Sequence, residues 1–169
     1  MQLLILLILA GALPAGAENA ERIYTVCEVL SRPGQFNGKL LKVRGIVEGG
    51  MEGSWLKSDE CPERFYVGGN SLPNAVSLSY QSEYGIAPPR NTVHIELVQR
   101  QIQGKVRKTN VLIMTYTGIF ETRTAWKVVT SGTGENHLWG FGHLNAFPAQ
   151  LVVTDIDDPQ VVVKKRERN

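Results

Sequence analysis

Two segments of this sequence alternate apolar and polar residues in the same way, and each has a glycine at the same place in its apolar series. The segments are residues 40–48 and 111–122; their apolar series are Leu41, Val43, Gly45 and Val47, and Leu112, Met114, Tyr116, Gly118 and Phe120. Alternation with a period of two predicts a half-buried β-strand. A glycine inside a strand marks a bulge, or a bend where a sheet coils to close on itself. The two segments therefore predict a small closed β-barrel.

Other patterns predict the remaining elements. Further strands are expected at residues 54–57, 75–80, 92–98, 126–130 and 149–156. Thr25 and Glu28 fit the S/T-x-x-E capping box, which predicts a short helix after Thr25. Residues 31–34, Ser-Arg-Pro-Gly, end that helix. Its apolar face is formed by Val26, Val29 and Leu30.

Two long stretches between the strands are typical of loops. Residues 62–89 contain four of the eight prolines, which predicts a loop-rich excursion and makes it the first candidate for a functional insertion. Residues 131–147 are rich in glycine and aromatic residues. This second stretch has room for a helical turn before Pro148.

The first 17 residues, MQLLILLILAGALPAGA, have the form of a secretory signal peptide. An apolar run over residues 3–13 is followed by Ala-Gly-Ala at 15–17, which fits a cleavage site. The run is shorter than the roughly 20 residues that a transmembrane helix needs, and Glu18 stands where a lipoprotein would have a cysteine. We therefore expect an exported protein, periplasmic or secreted, with no transmembrane anchor.

Length and charge limit what the mature chain can be. Residues 18–163 are enough for one domain with a hydrophobic core and too few for two. The net charge is +2, from 18 basic and 16 acidic residues. A chain with so small a net charge has no strong positive electrostatic field that would attract nucleic acid or anionic lipid. The basic run at 164–169 is expected to be a solvated tail. A monomer is expected.

Cys27 and Cys61 are the only two cysteines. An even count in an exported chain favours a structural disulfide, which would contribute about 3.5 to 4 kcal/mol on the chain-entropy model. The alternatives are a reactive pair and two metal ligands. Neither cysteine lies in a C-x-x-C arrangement and no histidine is close in sequence, so the disulfide is preferred.

Several strings of residues resemble a group of exported bacterial proteins of uncharacterised function. They are Val26-Cys-Glu-Val-Leu30 with Pro33, Phe36-Asn-Gly-Lys39 and Val43-Arg-Gly45; Glu52-Gly-Ser-Trp-Leu56 with Cys61; and Gly140-Phe-Gly-His-Leu144 with Pro148-Ala-Gln-Leu-Val-Val153. The strings cover most of the mature chain in separate patches. The resemblance implies a mostly β, OB-like, five-stranded or slightly elaborated closed barrel with a short N-terminal helix. It implies no catalytic residue and no cofactor.

OB barrels commonly bind oligonucleotides or oligosaccharides on their second and third strands and the adjoining loops. The candidate binding residues are Trp55, Phe65 and Tyr66 near those strands, and Trp139, Phe141 and His143 in the glycine-rich loop. Acidic residues lie around Trp55, Phe65 and Tyr66 in the sequence, so this region is not the positively charged groove that single-stranded nucleic acid needs. An envelope protein, a glycan or a small ligand is therefore expected rather than nucleic acid. Packing in the core or at its rim is the alternative role for these aromatic residues.

A metal site is the basis of the alternative function. His94 and Glu96 alternate on one face of the predicted strand at 92–98, and His137 and His143 can approach it from the later loop. Imidazole nitrogen and carboxylate oxygen are zinc ligands. The alternative is therefore a metal-dependent envelope hydrolase, although the spacing matches no known ligand motif and structural histidines are the simpler interpretation.

Two further motifs favour ordinary structural roles. Residues 54–57 match the S-x-x-K pattern of serine acylases, but a strand places the serine and the lysine on opposite sides. Asp155, Asp157 and Asp158 are expected to form a solvated turn before Pro159 rather than a calcium site. The first choice is an exported OB-like binding or accessory module of the cell envelope, with no metal, cofactor or catalytic residue assigned.

Overall fold

A computed structural model describes residues 22–50, 53–62, 64–67, 70–85, 88–105, 110–130 and 136–163, with the backbone alone for 50, 67, 128–130 and 136–138. The expected signal peptide at 1–17 and the basic tail at 164–169 lie outside these residues. Within the described ranges, no helix has the length and apolar composition that crossing a bilayer requires.

Strands make up most of the described chain. In chain order they are β1 (Ile23–Thr25), β2 (Leu40–Gly50), β3 (Gly53–Lys57), β4 (Arg64–Val67), β5 (Asn70–Pro73), β6 (Ala75–Ser79), β7 (Asn110–Thr122), β8 (Val128–Thr130), β9 (Asn136–Leu138) and β10 (Ala149–Val163). The helices are α1 (Val26–Ser31), α2 (Pro33–Phe36) and α3 (Thr92–Ile102), with a 3-10 turn at His143–Asn145.

Five strands close into a barrel in the order β2-β3-β6-β10-β7, because β7 also pairs with β2. Strand β6 runs parallel to β10, and the other barrel pairs are antiparallel. The chain forms α3 between the third and fourth barrel strands. This connectivity is that of an OB-like barrel, so the predicted fold class is confirmed. Strand β1 is an addition that pairs with β2 in parallel.

The two matched glycines lie on the inner face of the barrel, as predicted. Gly45 and Gly118 are both buried. A Cβ atom on Gly118 would lie 2.9 Å from the carbonyl carbon of Val152, and one on Gly45 would lie 2.9 Å from the carbonyl oxygen of Lys57. Neighbouring backbone occupies the space that a side chain would need, which is why both positions require glycine.

The helix after Thr25 forms as the capping box predicts. The Thr25 hydroxyl accepts from the backbone N–H of Glu28 at 3.2 Å, and the Glu28 carboxylate accepts from the N–H of Thr25 at 2.8 Å. Val26 and Val29 are wholly buried in the main core. The helix ends at Ser31, as expected, and α2 follows as a further single turn.

The predicted disulfide joins Cys27 in α1 to Cys61 in the segment after β3. Their Cα atoms are 5.4 Å apart across a sequence separation of 34. The bridge therefore fastens the N-terminal helix to the long connection between the second and third barrel strands.

Residues 92–98, predicted as a strand, form the first part of helix α3, so that prediction is wrong. The apolar residues of this segment fit both the period of two of a strand and the spacing of three to four of a helix. The helix buries Ile95 and Val98 at a spacing of three and leaves Val93 and Leu97 exposed. The segment is a helix because that conformation buries Ile95 and Val98 together against the barrel.

Strand β10 continues to Val163 and does not end at residue 156 as predicted. Its register against β7 shifts between Val153 and Asp155, and again between Asp157 and Gln160. Bulges add residues to one strand and bend it without ending the pairing. The acidic residues therefore lie inside the strand, and the expected turn before Pro159 is wrong.

Candidate ligand-binding cleft

The last part of the connection between β7 and β10, residues 139–148, packs against strands β3 and β6 of the barrel. Phe141 and Phe147 pair as an antiparallel bridge within it, and both are buried. Gly142 turns the chain with a left-handed φ of 68°, and a Cβ atom there would lie 3.1 Å from the Cβ of Ser77. Glycine at this position lets the connection approach strand β6 closely.

Arg123 fastens this connection to the loop that follows β6. Its Nη2 donates to the carbonyl oxygen of Gly140 at 2.6 Å and lies 2.7 Å from a carboxylate oxygen of Glu83. Its Nη1 donates to the hydroxyl of Tyr84 at 3.1 Å. The guanidinium carbon lies 4.0 Å from the centre of the Phe141 ring, a cation–π contact. Since 13% of its side chain is exposed, Arg123 acts mainly as a clamp.

A buried carboxylate holds the loop after β6 in place. Glu121 on β7 is 3% exposed. Its oxygens accept from the Ser82 hydroxyl, from the backbone N–H of Glu83 at 3.1 Å and from the Gln150 side-chain amide at 2.6 Å. Burying a charge is costly unless hydrogen bonds satisfy it. These three donors satisfy Glu121 and fix the start of the loop on the barrel.

An open cleft of about 590 Å³ lies between these two anchored segments. Its lining residues are Tyr84, Arg123, Thr124, Ala125, Lys127 and Trp139. Tyr84 is 55% exposed and Trp139 is 43% exposed, so both aromatic side chains are accessible. The volume lies in the range of small-molecule sites. This feature is called the aromatic cleft below.

Two cationic side chains, Arg123 and Lys127, line the aromatic cleft. Glu83 neutralises Arg123, whereas Lys127 is exposed and has no carboxylate partner among the described residues. The carbonyl oxygen of Lys127 accepts from the backbone N–H of Trp139 at 2.8 Å, so the backbones of the two residues are adjacent. A ligand that contacts the indole can therefore also meet an ammonium group.

The predicted binding residues of the glycine-rich loop take three different positions. Trp139 lines the cleft. Phe141 is wholly buried under Arg123, where its ring contacts the guanidinium group rather than solvent. His143 is exposed in the 3-10 turn and is not part of the cleft lining.

The other three candidates lie outside the aromatic cleft. The Trp55 ring packs against Phe147 with centres 5.4 Å apart, and its indole N–H donates to Glu48 at 3.3 Å. Phe65 on β4 packs against Trp126 with ring centres 5.9 Å apart. Tyr66, on the same strand, is 68% exposed. Tertiary packing therefore occupies two of these rings and leaves Tyr66 free at the surface.

The structure separates the two proposed metal ligands on α3. His94 Nδ1 lies 2.7 Å from Asp155, and His94 Nε2 lies 3.9 Å from Asp157. Glu96 instead faces Arg100 at 3.4 Å. The expectation that His94 and Glu96 share one face of a strand is wrong, because a helix separates residues two apart.

The other two proposed ligands add nothing to a metal site in the described residues. The side chain of His137 lies outside what the structure describes. His143 lies on the 3-10 turn. In the described part of the chain, no three His, Cys, Asp or Glu side chains are placed to share a metal ion.

Sequence reasoning missed Tyr84, Arg123 and Lys127, which line the cleft with Trp139. Tyr84 lies in the excursion at 62–89 that the prolines marked as a candidate insertion. Arg123 directly follows the predicted strand at 111–122. The sequence marked the segment that contains Tyr84, but the cleft itself depends on contacts between residues about 40 positions apart, such as Arg123 with Tyr84.

Comparisons of the chain with known protein families, with curated proteins and with solved structures found no significant match.

Proposed function

We propose that this protein is an exported, OB-like binding module of the cell envelope and that it binds its ligand in the aromatic cleft. The observation that carries the proposal is the exposure of Tyr84 and Trp139 along a cleft that also holds Lys127. Large aromatic side chains contribute much of the energy of recognition. A nearby charge adds orientation and specificity.

The position of the cleft supports binding. Its residues come from the connection between the fourth and fifth barrel strands and from the loop after the third. In OB barrels the connection between the last two strands is one of the usual ligand-binding loops. Arg123 bonds to the carbonyl oxygen of Gly140, and Glu121 accepts from Ser82 and Glu83, so both segments are held in place. This lowers the entropic cost of binding.

The chemistry of the lining supports binding. The lining combines the aromatic side chains of Tyr84 and Trp139 with the cation of Lys127. Such groups recognise a ligand by ring packing and by charge. The leader at 1–17 and the Cys27–Cys61 bridge support the exported location, because disulfides persist in oxidising compartments.

NMR spectroscopy of the 15N-labelled mature protein tests this proposal. The probes are four separate classes: neutral oligosaccharides, acidic oligosaccharides, a short oligothymidylate and aromatic carboxylates. We expect at least one class to shift the backbone resonances of Tyr84, Lys127 and Trp139. Trp139→Ala should abolish those shifts while the protein stays folded.

Tyr66→Ala is the matched control, because Tyr66 is exposed but does not line the cleft. It should leave the binding unchanged. The proposal is wrong if no class shifts the cleft resonances, or if Tyr66→Ala abolishes binding and Trp139→Ala does not. The second result would place the binding surface on strand β4.

A further inference from the structure

The aromatic cleft is open along most of its lining. Of the residues that line it, Tyr84, Thr124, Ala125, Lys127 and Trp139 are exposed. Sites for single small molecules usually bury 70% or more of the ligand surface. An open cleft instead suits one or two units of a longer chain that continues into solvent.

The charge in the cleft matches a chain with few anionic groups. Arg123 is paired with Glu83 at 2.7 Å, which leaves Lys127 as the one lining cation without a carboxylate partner in the described residues. Single-stranded nucleic acid needs a positively charged groove that follows successive phosphates. The single ammonium group of Lys127 matches one carboxylate better than it matches a phosphate backbone.

Two polar groups in the cleft that have no partner among the described residues match a polyhydroxylated ligand. Neither the Trp139 indole N–H nor the Thr124 hydroxyl hydrogen-bonds to a described residue. Both residues line the cleft together with Tyr84. A sugar ring has an apolar face of C–H groups that packs on an aromatic ring, and it has hydroxyl groups at its edge that can pair with such donors and acceptors.

We propose that the aromatic cleft binds an oligosaccharide that carries carboxylates, with one acidic sugar ring on Trp139 and its carboxylate at Lys127. This inference rests on the proposed binding function and names the class of ligand. An acidic peptide and a single-stranded oligonucleotide are alternative chains for the same open cleft. Neither accounts as well for two exposed aromatic side chains in one cleft with Lys127.

Titration with a matched pair of probes tests the proposal. The probes are 1,4-linked tetragalacturonate and its methyl ester, which has the same sugar rings without the charge. The wild-type protein should bind tetragalacturonate more tightly than the ester. Raising the ionic strength above about 0.1 M should reduce that preference, because the charges are exposed to solvent.

Two variants assign the contacts. Lys127→Gln should weaken binding of tetragalacturonate by about threefold, as expected for an exposed ion pair, and leave binding of the ester unchanged. Trp139→Ala should weaken binding of both probes by about tenfold. Lys105→Gln is the charge-matched control, since Lys105 is exposed and lies outside the cleft lining, and it should change neither.

The outcomes separate this inference from the proposed function. Equal binding of the two probes, or no binding of either, overturns the acidic oligosaccharide. Tighter binding of oligothymidylate or hexaglutamate than of tetragalacturonate overturns it as well. In each of these cases the proposed function still stands if some other probe shifts the cleft resonances and Trp139→Ala abolishes the shifts.

Discussion

Arg123 lies over Phe141, with its guanidinium carbon 4.0 Å from the centre of the ring. Arg123 directly follows the last residue of β7, and Phe141 lies in the later part of the same connection, before β10. This contact, together with the bond from Arg123 to the carbonyl of Gly140, closes the connection on itself. The buried Phe141 ring therefore supports Arg123, which lines the aromatic cleft.

Replacing Phe141 with alanine should destabilise the protein by about 3 to 5 kcal/mol, the usual cost of removing a fully buried phenylalanine. Urea denaturation measures the change. Trp139→Ala is the control, and we expect a change below about 1 kcal/mol because its ring is exposed. If Phe141→Ala is as stable as the wild type, the ring is not a core residue and could meet a ligand directly.

Gly118→Val should destabilise the protein by about 3 kcal/mol, because a Cβ atom there meets the backbone of Val152. The good strand propensity of valine should not compensate for this contact. Gly34→Ala in α2 is the control, since a Cβ atom at Gly34 has no neighbour within 4 Å. Thermal unfolding compares the two. A Gly118→Val protein with an unchanged melting temperature would contradict the assignment of this glycine to the inner face.

Cys61→Ser should lower the free energy of unfolding by about 2 to 5 kcal/mol, the range for native disulfides of small secreted domains. Before reduction, the exported wild-type protein should take up no alkylating reagent, and after denaturation and reduction it should take up two equivalents. Cys27→Ser should have the same effect on stability as Cys61→Ser, because both remove the same bridge. Two reactive thiols in the native exported protein would refute the bridge.

The pair of His94 and Asp155 should make stability depend on pH. The hydrogen bond that His94 donates to Asp155, aided by the charges of Asp155 and Asp157, raises the pKa of His94 above its usual value despite some desolvation. Burial raises the pKa of Asp155, but hydrogen bonds from His94, Ile156 and Asn91 outweigh it and hold that pKa below its usual value.

The two shifts define a window for this contribution. The raised pKa of His94 adds stability that is complete below about pH 6.5, the usual pKa of histidine, and is lost as the pH rises through the raised value. The lowered pKa of Asp155 adds stability above about pH 4 that is lost in more acidic solution. As the pH rises from about 6.5 to 8, the melting temperature of the wild type should fall more than that of His94→Gln. Equal slopes would show that the pair contributes nothing.

The proposed export signal predicts a processed chain that begins at Glu18, because Ala-Gly-Ala at 15–17 fits the cleavage rule. Amino-terminal sequencing after expression with the full leader in a bacterium tests this. Recovery of Met1 from the exported protein would contradict it. Replacing Ala15 and Ala17 with large residues should block cleavage and serves as the control.

Local patterns in the sequence determined the parts of the fold that depend on neighbouring residues. The hydrogen bonds of a capping box join residues three apart, so Thr25 and Glu28 predicted α1 correctly. The period of two in β2 and β7 is equally local, and their matched glycines predicted the closed barrel. The two cysteines predicted their own pairing because the chain has no others.

Tertiary structure decided the segments in which two local patterns compete. Residues 92–98 fit a strand by alternation and a helix by the spacing of Ile95 and Val98. The helix forms because those two side chains pack in the barrel core and because Asn91 caps the helix by accepting from the backbone N–H of His94. The pairing of β10 with β7 likewise carries the last strand past its acidic residues.

The candidate site depended on tertiary structure most of all. Trp139 was predicted as a binding residue from its loop, but Tyr84, which lines the cleft with it, comes from the loop after β6, and Lys127 comes from an earlier part of its own connection. Phe141, predicted with it, lies in the core. Side chains of one short loop can go either to the core or to the surface, and only the packing of that loop on the barrel selects between them.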